Sequence, residues 1–393
     1  MSFPQVVLHQ SKTAAVQRYH PWIFSGAIKK LPKGILDGDI VDVTDERGRH
    51  LATGHYSVGS IAVRVFSFAP IADLRSFWKQ KFENALALRK SLGLVNNTAT
   101  NCYRLIFAEG DGMPGLIVDW YNGTAVIQCH SLGMNKVKKI FTEILKEIYG
   151  SRLVAVYDKS AATLHSNDKS TTDGCLYGTS HTGEILENNL KFKVDWVQGQ
   201  KTGFFIDQRD NRALLQHYAK GKNVLNTFCY SGGFSVYALQ AGAALVHSVD
   251  SSAKAVEWTN ENMTLNNFSD ANHRAFAQDV FEYFAACETA YDVMVLDPPA
   301  FAKNLGAKHN ALKAYKRLNE TAFKKINSGG IVFTFSCSQV ITTELFYGAV
   351  MAAAIDAGRT VQVLHQLSQP PDHPSSVFHP EGKYLKGLVL SIT

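Results

Sequence analysis

The sequence predicts a mixed α/β chain whose second half is a doubly wound, mostly parallel sheet. Three observations carry that reading. The apolar runs Val293–Leu296 and Ile331–Phe335 are short and bounded by turn residues, as buried parallel strands are. From about residue 189 such runs alternate with helical stretches, the rhythm of a sheet covered by helices on both faces. The run 224–228 leads into Gly232-Gly233, the strand–glycine–helix order of a parallel sheet that holds a nucleotide.

A chain of 393 residues calls for two or three domains. Residues 1 to about 72 read as a small all-β barrel or sandwich: Ile40–Val43 and Ile61–Phe66 are rich in β-branched residues, and Gly34, Gly38, Gly48 and Gly59 punctuate them. From Ala72 to Leu94 the spacing turns helical, with Leu74, Phe77, Trp78, Phe82, Ala85, Leu86 and Leu88 on one face. Arg75, Lys79, Lys81, Arg89 and Lys90 fall mostly elsewhere. Residues 73–188 then form a linker helix and a small α/β middle domain. There, Glu109–Asp119 runs from a turn into a strand, Ala125–Gln128 pairs with it as a hairpin, Asn135–Tyr149 is helical and 154–157 is a strand. Residues 160–174 are polar and read as a mobile loop. Residues 189–393 carry the strands 224–228, 244–249, 293–296, 331–335, 360–364 and 388–392. Helices near 232–241, 252–266, 311–326 and 343–357 separate them.

Composition narrows the function classes. Hydrophobic residues make up 46% and charged residues 19%, which excludes a disordered chain. The first residues lack a basic start followed by an apolar core, and no apolar run approaches the roughly 20 residues that span a bilayer. Six cysteines (102, 129, 175, 229, 287 and 337) stand without a CxxC pair, and the histidines show no ligand spacing. The expectation is a cytoplasmic protein with no membrane partner, no disulfide framework and no metal. Net charge is +6. Residues 301–330 hold Lys303, Lys308, Lys313, Lys316, Arg317, Lys324 and Lys325 against Glu320 alone, so this window equals the whole excess. Such a segment is a grip for polyphosphate or a solvated helix face.

The candidate site is the carboxyl edge of the parallel sheet. Two glycines at a strand-to-helix turn let backbone approach a ligand without an intervening Cβ. Eighteen residues after Gly232 the next strand ends in Asp250, the spacing at which an acidic residue takes the ribose hydroxyls of a nucleotide cofactor. Asp279 follows at the end of 275–279, placed to meet an adenine edge. Asp297-Pro298-Pro299-Ala300 and Phe335-Ser336-Cys337-Ser338 bring a carboxylate, a rigid turn and a thiol to the same edge. A full G-x-G-x-x-G fingerprint is absent, which disfavours a dinucleotide.

Taken together, 226–235, Asp250, Asp279, Asp297–Phe301 and Phe335–Ser338 resemble the motifs of class I S-adenosylmethionine-dependent methyltransferases. With 201–212, Pro21–Phe24, Glu109–Asp119 and Glu381–Gly387, the chain resembles over its length the bacterial large-subunit ribosomal RNA cytosine-C5 methyltransferases called RlmI. The resemblance implies an N-terminal PUA domain that binds RNA, a small α/β middle domain and a Rossmann-like catalytic domain. It implies S-adenosylmethionine as cofactor, held by Gln208, Phe228, Tyr230, Ser231, Gly232, Asp250, Ser251, Asp279 and Asp297. It implies Cys337 and Asp297 as catalytic residues and 23S ribosomal RNA as substrate. Pro298, Pro299, Phe301, Lys303, Lys316 and Arg317 would border the RNA. The sequence departs from the family at Tyr19, where glycine is usual, and in its few arginines over 14–18. Oligomeric state is open, a homodimer included.

A thiol suits cytosine C5, which is a poor nucleophile until a thiolate adds to C6. Cys102, Cys129, Cys175, Cys229 and Cys287 read as packing residues, because a cysteine is often only a small hydrophobe. Three other functions stay open on the residues. Methylation of uridine C5 needs the same thiol. Methylation of guanine N2 needs the Asp-Pro-Pro turn but no thiol. A catalytically silent RNA-binding assembly factor needs neither.

Overall fold

The computed structural model describes residues 3–164, 172–268, 272–302 and 304–393. Part of the loop read over 160–174, and Lys303, lie outside the described residues. Among the described residues the strands form four sheets, of six, five, two and seven strands. The chain divides into two compact units. One comprises Met1–Leu186, Val194–Ile206 and Pro371–Gly382; the other comprises Glu187–Lys193, Asp207–Pro370 and Lys383–Thr393.

In the first unit the N-terminal sheet has the spatial order Trp22–Phe24, Ile61–Ser67, His50–Tyr56, Ile40–Thr44, Gln5–Leu8, Ile28–Lys30. Its inward face is the β-branched set foreseen from composition, with Val6, Val41, Val43 and Val63 fully buried. Tyr19 adopts φ +63°, the left-handed region a glycine enters without steric cost, so the departure at this position sits on a strained backbone. The five-stranded sheet pairs Leu116–Tyr121 with Thr124–Cys129 as the expected antiparallel hairpin. Ala155–Asp158 lies parallel to Thr124–Cys129.

The helix Leu74–Ser91 is N-capped by Asp73, whose carboxylate accepts the Ser76 N–H at 2.6 Å. Trp78 and Phe82 on this helix pack with Phe66, Ile71 and Phe141 in one core cluster. Arg89 departs from the helix-face reading: it is fully buried and binds Asp111 in a two-pronged pair at 2.5 and 2.7 Å. Periodicity assigns a charged residue to the wet face, but a guanidinium fork matched by a carboxylate can be buried.

The second unit holds the seven-stranded sheet. Counted along the chain, its strands are Asn223–Thr227, Leu245–Asp250, His273–Ala277, Tyr291–Leu296, Ile326–Ser336, Val361–Leu367 and Lys386–Ile392, and they lie in the order 3-2-1-4-5-7-6. The first five run parallel and the last is antiparallel to both its neighbours. The order reverses between strands 1 and 4, so a ligand crevice belongs outside the ends of Thr227 and Leu296. Helices Gly233–Gln240, Ala253–Leu265, Lys308–Lys325 and Thr343–Ala357 fall where alternation puts them. Strand 3 and the helices Arg209–Ala219 and Val280–Ala286 were not foreseen. Strand 3 reads His-Arg-Ala-Phe-Ala, too short and too polar for an apolar run to mark it. Helix Arg209–Ala219 buries Arg209, Asn211 and Arg212 beside Leu215 and Ala219, so the first half of its inward face is polar; Arg212 is held by Glu187 at 2.8 Å. Among the described residues no helix is long and apolar enough to cross a membrane.

Candidate functional site

The parallel register fixes which residues share the carboxyl edge. Thr227 lies opposite Val249 and Leu296, Asp250 opposite Ala277, and Leu296 opposite Thr334. The chain therefore leaves the sheet on one edge at Phe228, Ser251, Gln278 and Asp297. Asp297 is level with Phe335, one strand away and about 7 Å of strand rise short of Cys337.

The turn after strand 1 is unusual in its backbone. Phe228 (φ +55°), Tyr230 (φ +48°) and Gly232 (φ +76°) all take left-handed conformations. Backbone bonds close the turn, the Cys229 N–H donating to the Val249 carbonyl at 3.1 Å and the Gly232 N–H to the Cys229 carbonyl at 2.8 Å. Side chains from the helix Ala253–Leu265 hold it: the Thr259 hydroxyl donates to the Tyr230 carbonyl and the Asn262 amide to the Ser231 carbonyl, both at 2.8 Å. A Cβ on Gly232 would lie 2.7 Å from the Thr259 methyl, so only glycine keeps both the turn and the helix in place. Ser231 is buried.

Asp250 is half-buried and anchored on both oxygens, accepting the N–H of Tyr230 and of Ser252 at 2.9 Å each. Those two donors fix the direction of the carboxylate. Ser251 beside it is exposed. Asp279 is exposed and caps the helix Val280–Ala286, one oxygen accepting from Phe281 and Glu282. The geometry thus gives Asp279 a capping task in addition to its place at the edge.

Asp297 is half-buried, and the buried Gln208 amide donates to it at 3.0 Å. Asn211 in turn donates to the Gln208 oxygen at 2.6 Å. Gln208, expected from the resemblance at the cofactor, therefore bonds to the carboxylate of the Asp-Pro-Pro turn. Pro298 is buried and Pro299 exposed; Phe301 packs against the ring of Tyr315 with centroids 4.8 Å apart. Cys337 is half-buried against the cluster formed by Leu215, Phe335 and Leu385.

Two groups near Cys337 were missed in the sequence. Lys386 opens the last strand opposite Ser336, and its ammonium donates to the Ser338 carbonyl at 2.7 Å. Burial pushes the Lys386 ammonium down from its usual range, and the negative charge of a Cys337 thiolate opposes that shift. Tyr315 accepts the Ser336 hydroxyl at 2.9 Å. Burial pushes its phenol up to about 12, with Cys337 and Asp297 adding smaller effects of the same sign. A basic residue opening the last strand was the available signal for Lys386, but pairing of strands 5 and 7 is needed to use it. Cys229, by contrast, is buried under the turn, and burial pushes its thiol up to about 12, the state of an inert packing cysteine.

The basic window forms the helix Lys308–Lys325, with Lys313, Arg317, Lys324 and Lys325 exposed. Lys316 is paired with Asp356, and the Arg317 guanidinium lies 4.3 Å from the centroid of the Phe281 ring. Lys324 is paired with Glu320 at 2.6 Å. Some cations of the window are thus neutralised locally, and others face solvent.

The description S-adenosylmethionine-dependent methyltransferase matches residues 116–388, and a PUA-like domain matches residues 6–68. Two curated relatives, from Tolumonas auensis and Alteromonas mediterranea, are both named ribosomal RNA large subunit methyltransferase I. They are 40% and 38% identical to this chain, covering 98% and 99% of it and the same shares of their own length. A solved structure assigned as a SAM-dependent methyltransferase from Streptococcus mutans superposes with a TM-score of 0.85 at 22% identity, over 99% of this chain and 100% of that one. The sheet order, the glycine turn and these full-length likenesses agree: the chain belongs to the S-adenosylmethionine-dependent methyltransferases, in the family whose curated members are named ribosomal RNA large subunit methyltransferase I.

Proposed function

We propose that this enzyme methylates C5 of a cytosine in 23S ribosomal RNA, with Cys337 as nucleophile. The observation that carries the reading is a thiol one strand from the Asp297 turn, on the sheet edge that also bears the glycine turn and Asp250. S-adenosylmethionine supplies an electrophilic methyl group when bound. The residues present suit it: Gly232 leaves a cradle that a Cβ would fill, and Asp250 is pre-aimed for ribose hydroxyls. Phe228, Tyr230, Ser231, Ser251 and Asp279 would line the same site.

The chemistry falls to the chain's own groups. The Cys337 thiolate adds to C6 of the pyrimidine, and the C5–C6 double bond becomes an enamine-like system with electron density at C5. Asp297, steadied by Gln208, would hold the ring's N3 and exocyclic amine and favour their protonated form during attack. Once C5 carries its new substituent, loss of the C5 proton to a base and expulsion of the Cys337 thiolate restore the aromatic ring. Pro298, Pro299 and Phe301 would border the base, extracted from its stack as such chemistry requires. The exposed cations of Lys308–Lys325 would meet phosphates. We also infer three parts along the chain, 1–72 for RNA, 73–188 as middle domain and 189–393 for catalysis, in a cytoplasmic enzyme.

Cys337→Ala is expected to abolish methyl transfer to ribosomal RNA from labelled S-adenosylmethionine while S-adenosylhomocysteine binds with unchanged affinity. Full transfer by this variant would remove the thiol mechanism. Digestion of the labelled RNA to nucleosides identifies the base. Label in uridine or guanosine instead of cytidine would replace the substrate assignment.

A further inference from the structure

Arg64, on the strand Ile61–Ser67, lines a cavity of about 230 Å³ within the first unit. Asp37, Ser57, Gly59, Ser60, His130 and Ser131 form much of the wall. Arg64 is half-buried, and among the described residues its guanidinium makes no hydrogen bond or ion pair. Arginine stays charged at any accessible pH, and a cation withdrawn from water is costly unless paired. Two carboxylates act on it from a distance, Glu109 and Asp37, and each already has a donor. Glu109 accepts the Trp22 indole N–H at 2.8 Å, and Asp37 the Ser57 hydroxyl at 3.3 Å.

The cavity therefore offers a guanidinium fork uncommitted among the described residues, serine hydroxyls and one carboxylate. An inorganic anion would use the first two and be repelled by the third. A ribonucleotide uses all three, because its phosphate accepts from the guanidinium and hydroxyls while its 2′-hydroxyl donates to a carboxylate. Ser131 also caps the helix Leu132–Tyr149, whose N-terminal end adds positive potential at the same wall. We propose that this cavity binds one sugar–phosphate unit of an RNA strand, with Arg64 on the phosphate and Asp37 on the 2′-hydroxyl. The proposal rests on the reading that the enzyme acts on RNA, and it adds a backbone-reading site remote in sequence from Cys337.

The test uses the full-length protein and a short single-stranded RNA with its DNA counterpart. Binding is titrated over a range of salt, with methyl transfer to protein-free 23S ribosomal RNA and S-adenosylhomocysteine affinity measured alongside. Arg64→Met is expected to raise Kd for RNA and KM on the order of tenfold and to lower the salt slope by about one. Its kcat and cofactor affinity stay unchanged, and Arg64→Lys recovers part of the loss. Ser60 is exposed at the rim, so Ser60→Glu leaves packing intact and is expected to weaken RNA binding by repulsion. Asp37→Ala narrows the preference for RNA over DNA. Wild-type RNA affinity and salt slope in both Arg64→Met and Ser60→Glu would overturn the proposal, and an unchanged RNA:DNA ratio in Asp37→Ala would overturn the orientation. If the unsubstituted protein transfers no methyl group but these variants still lose RNA affinity, the catalytic reading fails and the cavity stands.

Discussion

Lys386 supplies what the residue types alone left open, a cation beside Cys337. Its ammonium is fixed on the Ser338 carbonyl, one residue beyond the thiol, and is partly withdrawn from water. A positive charge there favours a thiolate over a thiol. Lys386→Met is expected to slow alkylation of Cys337 at neutral pH on the order of tenfold, the effect of a shift of one pKa unit. Lys386→Arg should retain most of the rate. Alkylation is read on the Cys337 peptide by mass spectrometry, and an unchanged rate in Lys386→Met would remove the lysine from the site. At this scale the sequence showed which groups end which strands: Asp250, Asp297 and Cys337 were all legible as terminal residues of apolar runs. Their partners were not. Gln208 reaches Asp297 across 89 positions, and Lys386 reaches Ser338 across 48. Neither spacing leaves a local trace.

Elements were legible where burial was apolar and one-sided. The strands that end in Leu296 and Ser336 and the helix Thr343–Ala357 announce themselves by hydrophobic runs or period. Elements that bury polar groups stayed hidden, and the strand His50–Tyr56 shows their cost. His55 on this strand is fully buried, its ring against Gly133 and 4.8 Å from that of Phe66, with neither ring nitrogen hydrogen-bonded. Burial, aided by the positive charges of Lys136 and Arg64, pushes its pKa from 6.5 down to about 3. Between those values the unfolded chain binds a proton that the folded one refuses, so stability rises with pH and is lost as acid is added. From pH 7 to 5.5 this one ring should cost about 1 kcal/mol. His55→Leu, measured by urea unfolding at both values, should remove that part of the pH dependence. A variant with the original slope would assign the acid sensitivity elsewhere.

On the scale of the molecule, the chain order conceals how the first unit closes. Pro371–Gly382 belongs to that unit although Glu187–Lys193 and Asp207–Pro370 of the other precede it. Two buried arginines receive it. The Arg89 guanidinium donates to the Asp372 carbonyl at 2.8 Å, and the Arg104 N–H donates to the Asp372 carboxylate at 3.0 Å. Those partners lie 283 and 268 residues earlier, and Asp372 itself is wholly buried. Hydrophobic periodicity cannot signal such a return, because the segment is short, rich in proline and held by polar bonds. The consequence is kinetic as well as structural: the unit is incomplete until its last segment has been synthesised, and contacts of this separation close slowly. Asp372→Ala keeps the chain intact but leaves the buried Arg104 N–H without that acceptor, at a cost of about 1–3 kcal/mol. For a unit of this size each kcal/mol lowers the midpoint by about 2–4 °C. The expected result is a loss of several degrees in the first unit's melting, followed by hydrogen exchange at Arg104, while S-adenosylhomocysteine affinity in the second unit holds. Equal loss in both units would mean that Asp372 supports the whole chain and not the first unit alone.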